Sequence, residues 1–380
     1  MYRLKILLIL LVFTGMMISS ERDEYLAGEI NEHKSAVNAV AFSPDGTLII
    51  SGGEDKLLLI SECKSLKALY KHFDNYYPPK AIEVTGENTI FISAGPDIKL
   101  IDLDNKTLAL FQGNSTPIWS IDYAPERNKI AAGSYDYTTK IWDVTSQEIE
   151  LVLKGHEKST LPVAFSPDEK YIITGSLDRT VKVWNAKTGE LMKTLEIHSD
   201  NIYDIKFHPA GSYFASASRD KTIRLWDFET GRVIRTFTGH DKGIMEIEFL
   251  PDGNHIVSAS LDGSIRLWQT KTGKMVYTFT GHEGAVNTLA VSPDGMILVS
   301  GGADSKVLIW KLSKKLFVEF AFYDEFEVEK SKSDLFGSRR KNEKFAEYEE
   351  RMSRANELEQ EIIEKFYTMY LKDLNNQSFD

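Results

Sequence analysis

Hydrophobic positions along most of the chain fall into short runs separated by turn residues, and only near the C-terminus does the spacing become that of a helix. A representative stretch runs from Asn201 to Thr238. Asn201–Phe207 and Ser212–Ala217 flank a turn at His208–Gly211, Thr222–Asp227 follows the turn at Arg219–Asp220, and Arg232–Thr238 supplies a fourth run. This pattern predicts short antiparallel strands in groups of three or four, an all-β array. Pro-Asp-Gly punctuates it at Pro44–Gly46, Pro251–Gly253 and Pro293–Gly295: proline presets the first turn position and glycine accepts a positive φ. From Asn342 the apolar residues Phe345, Tyr348, Met352, Ala355, Leu358, Ile362, Phe366 and Met369 step by three and four between charges. That spacing predicts a long amphipathic helix over about 341–374.

One unit of 42 residues is written four times between Gly155 and Trp310, each copy with His, then Ser or Thr 18 residues later, Asp at 22 and Trp at 28. The sets are His156–Thr174–Asp178–Trp184, His198–Ser216–Asp220–Trp226, His240–Ser258–Asp262–Trp268 and His282–Ser300–Asp304–Trp310. A period near 40 residues is the mark of a repeat architecture. Weaker copies precede these. His33, Ser51 and Asp55 keep the spacing, with Ser61 in the Trp place. A third unit has Asn114 and Ala132 for His and Ser/Thr but keeps Asp136 and Trp142–Asp143. The second unit, counted from Asn75, keeps Ser93 and Asp97, with Ile101–Asp102 in the Trp-Asp place. Seven units span about Tyr25 to Leu312.

These motifs resemble the WD-repeat family, whose members fold as β-propellers; the resemblance covers about three quarters of the chain and is most specific in the last four units. It implies an all-β fold, a seven-bladed propeller of four-stranded antiparallel blades around a central channel, with a C-terminal amphipathic α-helix appended. It also implies that the His, Ser/Thr, Asp and Trp of each unit form a buried hydrogen-bonded tetrad. The chemistry agrees, since indole only donates, a hydroxyl donates and accepts, and His can relay to the Asp carboxylate. Read as catalytic triads, the same residues would be four interchangeable nucleophiles spread around a ring, whereas a hydrolase needs one activated nucleophile with an oxyanion hole. Histidines 42 residues apart on separate blades do not make a metal site either. In the family's pattern each unit begins with the outer strand of the preceding blade, so Glu24–Ile30 is expected to close the last blade, with Lys315–Phe322 as the competitor.

If each blade has four antiparallel strands, the loop before the first and the turn between the second and third share one face. Positions five after the His are Asn38, Lys80, Trp119, Leu161, Tyr203, Met245 and Asn287; those one before the Asp are Glu54, Pro96, Tyr135, Leu177, Arg219, Leu261 and Ala303. Trp119, Tyr135, Leu161, Leu177, Tyr203, Arg219, Met245 and Leu261 cluster in units three to six, an exposed patch with hot-spot composition. Related propellers commonly bind peptides or partner domains at these positions. The expected function is therefore a non-catalytic protein-interaction or scaffold module that binds a peptide or partner protein on this face. No catalytic, cofactor or metal site is expected. The alternative, an enzyme framed by the propeller with its site at the channel mouth, would require a polar or metal-binding cluster at the channel-facing positions, where the rim reads as apolar.

Composition narrows the partners. A net charge of −11 argues against nucleic acid and anionic membrane, and the single cysteine, Cys63, excludes an intrachain disulfide. The propeller is expected to be monomeric. Residues 1–20 carry Arg3 and Lys5, the apolar run Ile6–Phe13 and small residues before Glu21–Glu24, which reads as a signal peptide. An exported protein, secreted or periplasmic, is therefore expected, with a membrane anchor through residues 1–20 displaying the propeller as the alternative. The organisation expected is 1–20 signal, 21–312 propeller and 313–380 extension. Leu316–Val328 reads as an extended docking segment or a strand, and the helix stripe as facing the propeller's own side. Asn105–Thr107 and Asn376–Ser378 match the glycosylation acceptor pattern.

Overall fold

Seven four-stranded antiparallel sheets stand around a central axis in the computed structural model, which describes residues 23–72, 77–86, 88–104, 106–336, 338, 340 and 343–376. The segment 1–20, Asn75 and the Asn105 acceptor lie outside the described residues, as does most of Asn376–Ser378. Blades 1 to 6 follow the chain at residues 37–72, 82–111, 118–154, 160–196, 202–238 and 244–280. Blade 7 is composite: Val286–Val291, Ile297–Gly302 and Val307–Lys311 are joined by Leu26–Ile30 as the outer strand.

That closure is an antiparallel pairing of Leu26 with Trp310 and Ile30 with Val307, extended by the Lys311 N–H donating to the Tyr25 carbonyl at 2.9 Å. The competing segment Lys315–Phe322 lies in a helix instead. Two further bonds fix the clasp. The Thr280 N–H of blade 6 donates to Asp23 at 3.0 Å, and the Tyr25 hydroxyl donates to Glu319 at 2.9 Å.

Each blade is too thin to have a core of its own, so the core is a set of layers between neighbouring blades. Between blades 5 and 6, for example, Ala215, Ala217, Ile223, Leu225 and Phe237 pack against Ile244, Ile247, Phe249, Ile256 and Trp268. Turns follow the sequence signals, with Gly295 at φ 72° in its Pro-Asp-Gly turn. In blade 4 the equivalent place is held by Glu169 at φ 54°, an unfavourable conformation for a residue with a Cβ. Its carboxylate accepts the backbone N–H groups of Glu126 (3.1 Å) and Arg127 (2.8 Å) from blade 3, a cross-blade tie that glycine could not make.

Two helices, α1 (Lys314–Ser331) and α2 (Phe345–Asn376), follow the propeller. The expectation of an extended segment or strand over Leu316–Val328 is therefore wrong. Its aromatic density raises strand propensity, but Leu316, Phe317, Val318 and Phe326 are buried on two sides, by the propeller and by α2, and the helix meets that demand. It bends at Phe322, whose backbone is non-helical (φ −139°, ψ 33°). The α2 stripe faces inward: Tyr370 and Leu374 join Leu250, Val257, Phe279 and Trp310 in one cluster, and Ile362, Ile363 and Phe366 pack on Val318 and Phe326 of α1. His255 and the Tyr370 hydroxyl share a buried hydrogen bond of 2.6 Å. No helix among the described residues is long and apolar enough to cross a membrane.

Candidate protein-interaction site

The residues that look most like chemistry hold the blades together. In blade 5 the Trp226 indole donates to Ser216 Oγ at 2.8 Å, Ser216 Oγ lies 2.7 Å from His198 Nε2, and His198 Nδ1 lies 2.8 Å from Asp220. The direction of donation follows from the indole. Because Trp226 can only donate, the hydroxyl accepts from it and donates its own O–H to Nε2, and Nδ1–H donates to the carboxylate. The same chain runs through His156, Thr174, Asp178 and Trp184, through His240, Ser258, Asp262 and Trp268, and through His282, Ser300, Asp304 and Trp310, all within 3.0 Å. This is the hydrogen-bond order of a Ser-His-Asp triad, but Thr174, Ser216, Ser258 and Ser300 are fully buried and each hydroxyl oxygen already accepts an indole. No substrate carbonyl can reach them.

Burial alone would push the Asp178, Asp220 and Asp262 carboxyls up. Hydrogen bonds from the histidine and from Thr180, Thr222 or Ser264 more than offset it and hold them well below the usual carboxylate range. In blade 3 Lys140 replaces the missing histidine, its ammonium reaching Asp136 at 2.6 Å and Asn114 at 2.9 Å, while the Trp142 indole donates to the Gln112 carbonyl.

The loops that carry the histidines and the turns that carry the aspartates open on one face, around the mouth of the channel. There the Trp119 ring meets Tyr135 edge-on at 6.1 Å and stacks on Tyr203 at 6.3 Å. Trp119 and Tyr203 belong to blades 3 and 5. Leu161, at the same position of blade 4 between them, is only 2% exposed. The expectation that Leu161 is an exposed contact residue is therefore corrected: Leu161 is buried, while Trp119 and Tyr203 on the flanking blades are half-buried and stack on each other. Met245, Leu177 and Leu261 are half-buried and Arg219 is exposed. On the far side of the rim Lys80 and Asn38 both bind the Glu54 carboxylate.

Below the rim a cavity of about 250 Å³ follows the axis, and its wall corrects a second expectation. Charged residues stand at channel-facing positions beneath the apolar rim: Asp204 and Glu246 six after the histidine, and Glu83, Asp122, Lys206 and Glu248 eight after it. They escape a comparison of the repeats confined to the fifth position. The signal was present in Ile202–Phe207 (IYDIKF) and Ile244–Phe249 (IMEIEF), where charges occupy one face of a strand.

Several of these side chains bridge blades. Asp122 accepts the Phe165 N–H at 2.6 Å, Asp204 that of Ile247 at 2.9 Å and Glu246 that of Leu289 at 2.8 Å, each from the next blade's inner strand; Thr288 Oγ1 accepts the Val40 N–H at 3.2 Å across the closure. The inner strands are sheet edges, and these acceptors satisfy N–H groups that no neighbouring strand can. Burial pushes Glu83, Asp122, Asp204 and Glu246 above the ordinary carboxylate range; Asp122 adds to the rise of Glu83 and Asp204 to that of Glu246, whereas Lys206 and a backbone N–H oppose it at Asp122 and Asp204. Among the described residues no group of three or more His, Cys, Asp or Glu is placed to hold a metal ion.

The composite seventh blade, the repeated tetrads and the channel define a β-propeller of WD type. A model of the second β-propeller domain of WDR36/Utp21 matches residues 153–305, and the WD domain, G-beta repeat, matches residues 25–60 and 105–143. The chain belongs to the WD-repeat family. It is similar to WD repeat-containing protein 82 of Drosophila melanogaster, 28% identical over 120 residues, 30% of this chain and 38% of that protein. A chromatin assembly factor 1 subunit of Gallus gallus is 26% identical over 135 residues, 35% of this chain and 20% of that protein. Small ribosomal subunit protein RACK1y of Oryza sativa subsp. japonica is 27% identical over 128 residues, 32% of this chain and 38% of that protein. In each case the chain spans well under half of the relative's length.

This kinship overturns the expectation of an exported or membrane-anchored protein. The names of the relatives place one in chromatin assembly and another in the ribosome, locations inside the cell. A basic start followed by a short apolar run is a compositional signal with no register to check it, unlike the repeats, where four residue types must coincide.

Proposed function

We propose that this chain is a non-catalytic interaction module that binds a peptide or a partner protein at the channel-mouth face, with Trp119, Tyr135, Tyr203, Leu177, Arg219, Met245 and Leu261 as the contact surface. The observation that carries the reading is the continuous aromatic wall from Tyr135 through Trp119 to Tyr203 at the rim of an open cavity. Tyr and Trp at a concave mouth supply large contact area at small entropic cost and dominate interface energetics. The appended helices do not supply that contact. They pack against Leu250, His255 and Lys271, in and beside the turns on the opposite face, and leave the rim uncovered. WD-repeat relatives whose names mark them as components of larger assemblies agree with a binding role.

A photo-activatable side chain in place of Tyr135, compared with one in place of Asp294 in a turn on the opposite face, tests the reading in extract. Partner adducts from position 135 and none from 294 are expected. Equal adducts from both, or adducts from 294 alone, would place the partner elsewhere.

A further inference from the structure

The wall of the axial cavity holds four carboxylates, from Glu83, Asp122, Asp204 and Glu246, against two ammoniums, Lys206 and Lys80, each of which is paired with a carboxylate outside that set, Glu248 and Glu54. Lys206 is committed to Glu248 at 3.0 Å. Both keep about a third of their side-chain surface open (34% and 31%), and Lys206 lines the channel. The four carboxylates are under-compensated. Asp122, Asp204 and Glu246 receive backbone N–H groups, but Asp204, only 9% exposed, has no side-chain donor among the described residues. Glu83 receives no donor at all among the described residues. Burying a carboxylate without a partner is costly, and the cost falls when a cation arrives.

We propose that the channel takes up one basic side chain, a lysine or arginine carried by an extended segment of the partner, seated between Glu83 and Asp204. This rests on the reading of the channel-mouth face as the partner site. Three features select this occupant. The volume of about 250 Å³ falls below the ~300–1,000 Å³ of pockets that enclose whole small molecules, and suits a single side chain. The carboxylates lie at two levels on blades 2, 3, 5 and 6 and do not converge as metal ligands would. The entrance is lined by Trp119 and Tyr203, whose ring faces attract a passing ammonium or guanidinium.

Binding is coupled to protons. Glu83, Asp122, Asp204 and Glu246 face each other and the Lys206–Glu248 pair, with Lys80 held away at the rim by Glu54. Burial first, and then their mutual repulsion, favours the protonated forms, so an entering cation restores ionisation and releases protons. Affinity should rise with pH through the neutral range.

The test uses the full chain and arrays of capped random peptides about seven residues long with the central residue fixed as arginine, lysine, citrulline or norleucine. Retention of the arginine or lysine arrays about tenfold above the neutral ones is expected, with that margin lost in Glu83→Gln and with weaker binding at about pH 6 than at about pH 8.5. Equal retention of all four arrays, abolished by Trp119→Ala, would overturn the channel inference and leave the face reading intact. Retention of none would overturn both. Affinity for the basic arrays that does not change with pH would overturn the inference even if Glu83→Gln did not fold. So would a rise in melting temperature with magnesium or calcium chloride alone that Glu83→Gln abolishes, since it would assign the carboxylates to a metal ion.

Discussion

The ring of Trp119 stacks on that of Tyr203 at 6.3 Å with an interplanar angle of 24°, although a whole blade separates the two strands that carry them. The arrangement is possible because blade 4 places an aliphatic residue, Leu161, where its neighbours place aromatics. The two rings line the channel mouth together. Repeats that share a fold are thus made unequal at the rim.

The tetrads should behave as structural units. Asp220 accepts His198 Nδ1–H and the Thr222 hydroxyl, so Asp220→Ala leaves buried donors without an acceptor and should cost about 1–3 kcal/mol. A urea unfolding midpoint equal to that of wild type would contradict the assignment. The pH dependence has a definite sign. A carboxyl held below its unfolded value contributes stability that is present above the ordinary Asp range and is lost as pH falls through it. The difference between wild type and Asp220→Ala should therefore shrink in acid.

The channel carboxylates should show the opposite sign. Glu83 is raised in the folded protein, by burial first and by Asp122 second. Its contribution is most favourable below the unfolded Glu value and is lost as pH rises toward and past neutrality. Glu83→Gln should therefore raise the melting temperature at alkaline pH and leave it unchanged at about pH 4. A variant less stable than wild type at alkaline pH would show that Glu83 has a partner that stabilises its charge.

Closure of the ring through Leu26–Ile30 makes a residue far from the C-terminal blade part of its core. Ile30, 3% exposed, packs with Val299, Val307 and Ile309. Ile30→Ala should cost about 2–4 kcal/mol, and hydrogen exchange should quicken first in Val307–Lys311, the strand it covers. Uniform loosening across all blades would argue against a local clasp.

At the other end, Tyr370→Phe removes the partner of a buried His255 nitrogen and should cost about 1–3 kcal/mol, read as a lowered unfolding midpoint. Truncation at Ser313 strips the cover from Leu250, Phe279 and Leu312 and should promote aggregation. A truncated chain as soluble and as stable as the full one would mean that the helices serve an outside partner.

The fold was legible where several residue types had to coincide. His, Ser/Thr, Asp and Trp in register identify the last four blades, and the resemblance to the WD-repeat pattern implied the N-terminal strand that closes the seventh blade. Legibility failed where the bond came from a different position of the repeat, as in blade 3, where Asn114 stands at the histidine place and Lys140 reaches Asp136. It failed again at α1, where aromatic residues favour a strand locally but are buried from two sides. In the site, the rim positions were readable from spacing, but most of those side chains are half-buried and only Tyr135 and Arg219 are exposed. The burial of Leu161 was not readable, because it depends on side chains one blade away in either direction. The channel charges were written in plain alternation, at strand positions other than the one compared.

The central claim is that the partner docks on the aromatic rim, and side-by-side affinity capture tests it most directly. Wild type, Trp119→Ala/Tyr203→Ala and the control Leu191→Ala, on an exposed outer strand of blade 4, would be compared by quantitative mass spectrometry. The double variant should remain folded and lose its specific partners by about tenfold or more, while the control keeps them. Partners retained by the double variant at wild-type levels would contradict the account.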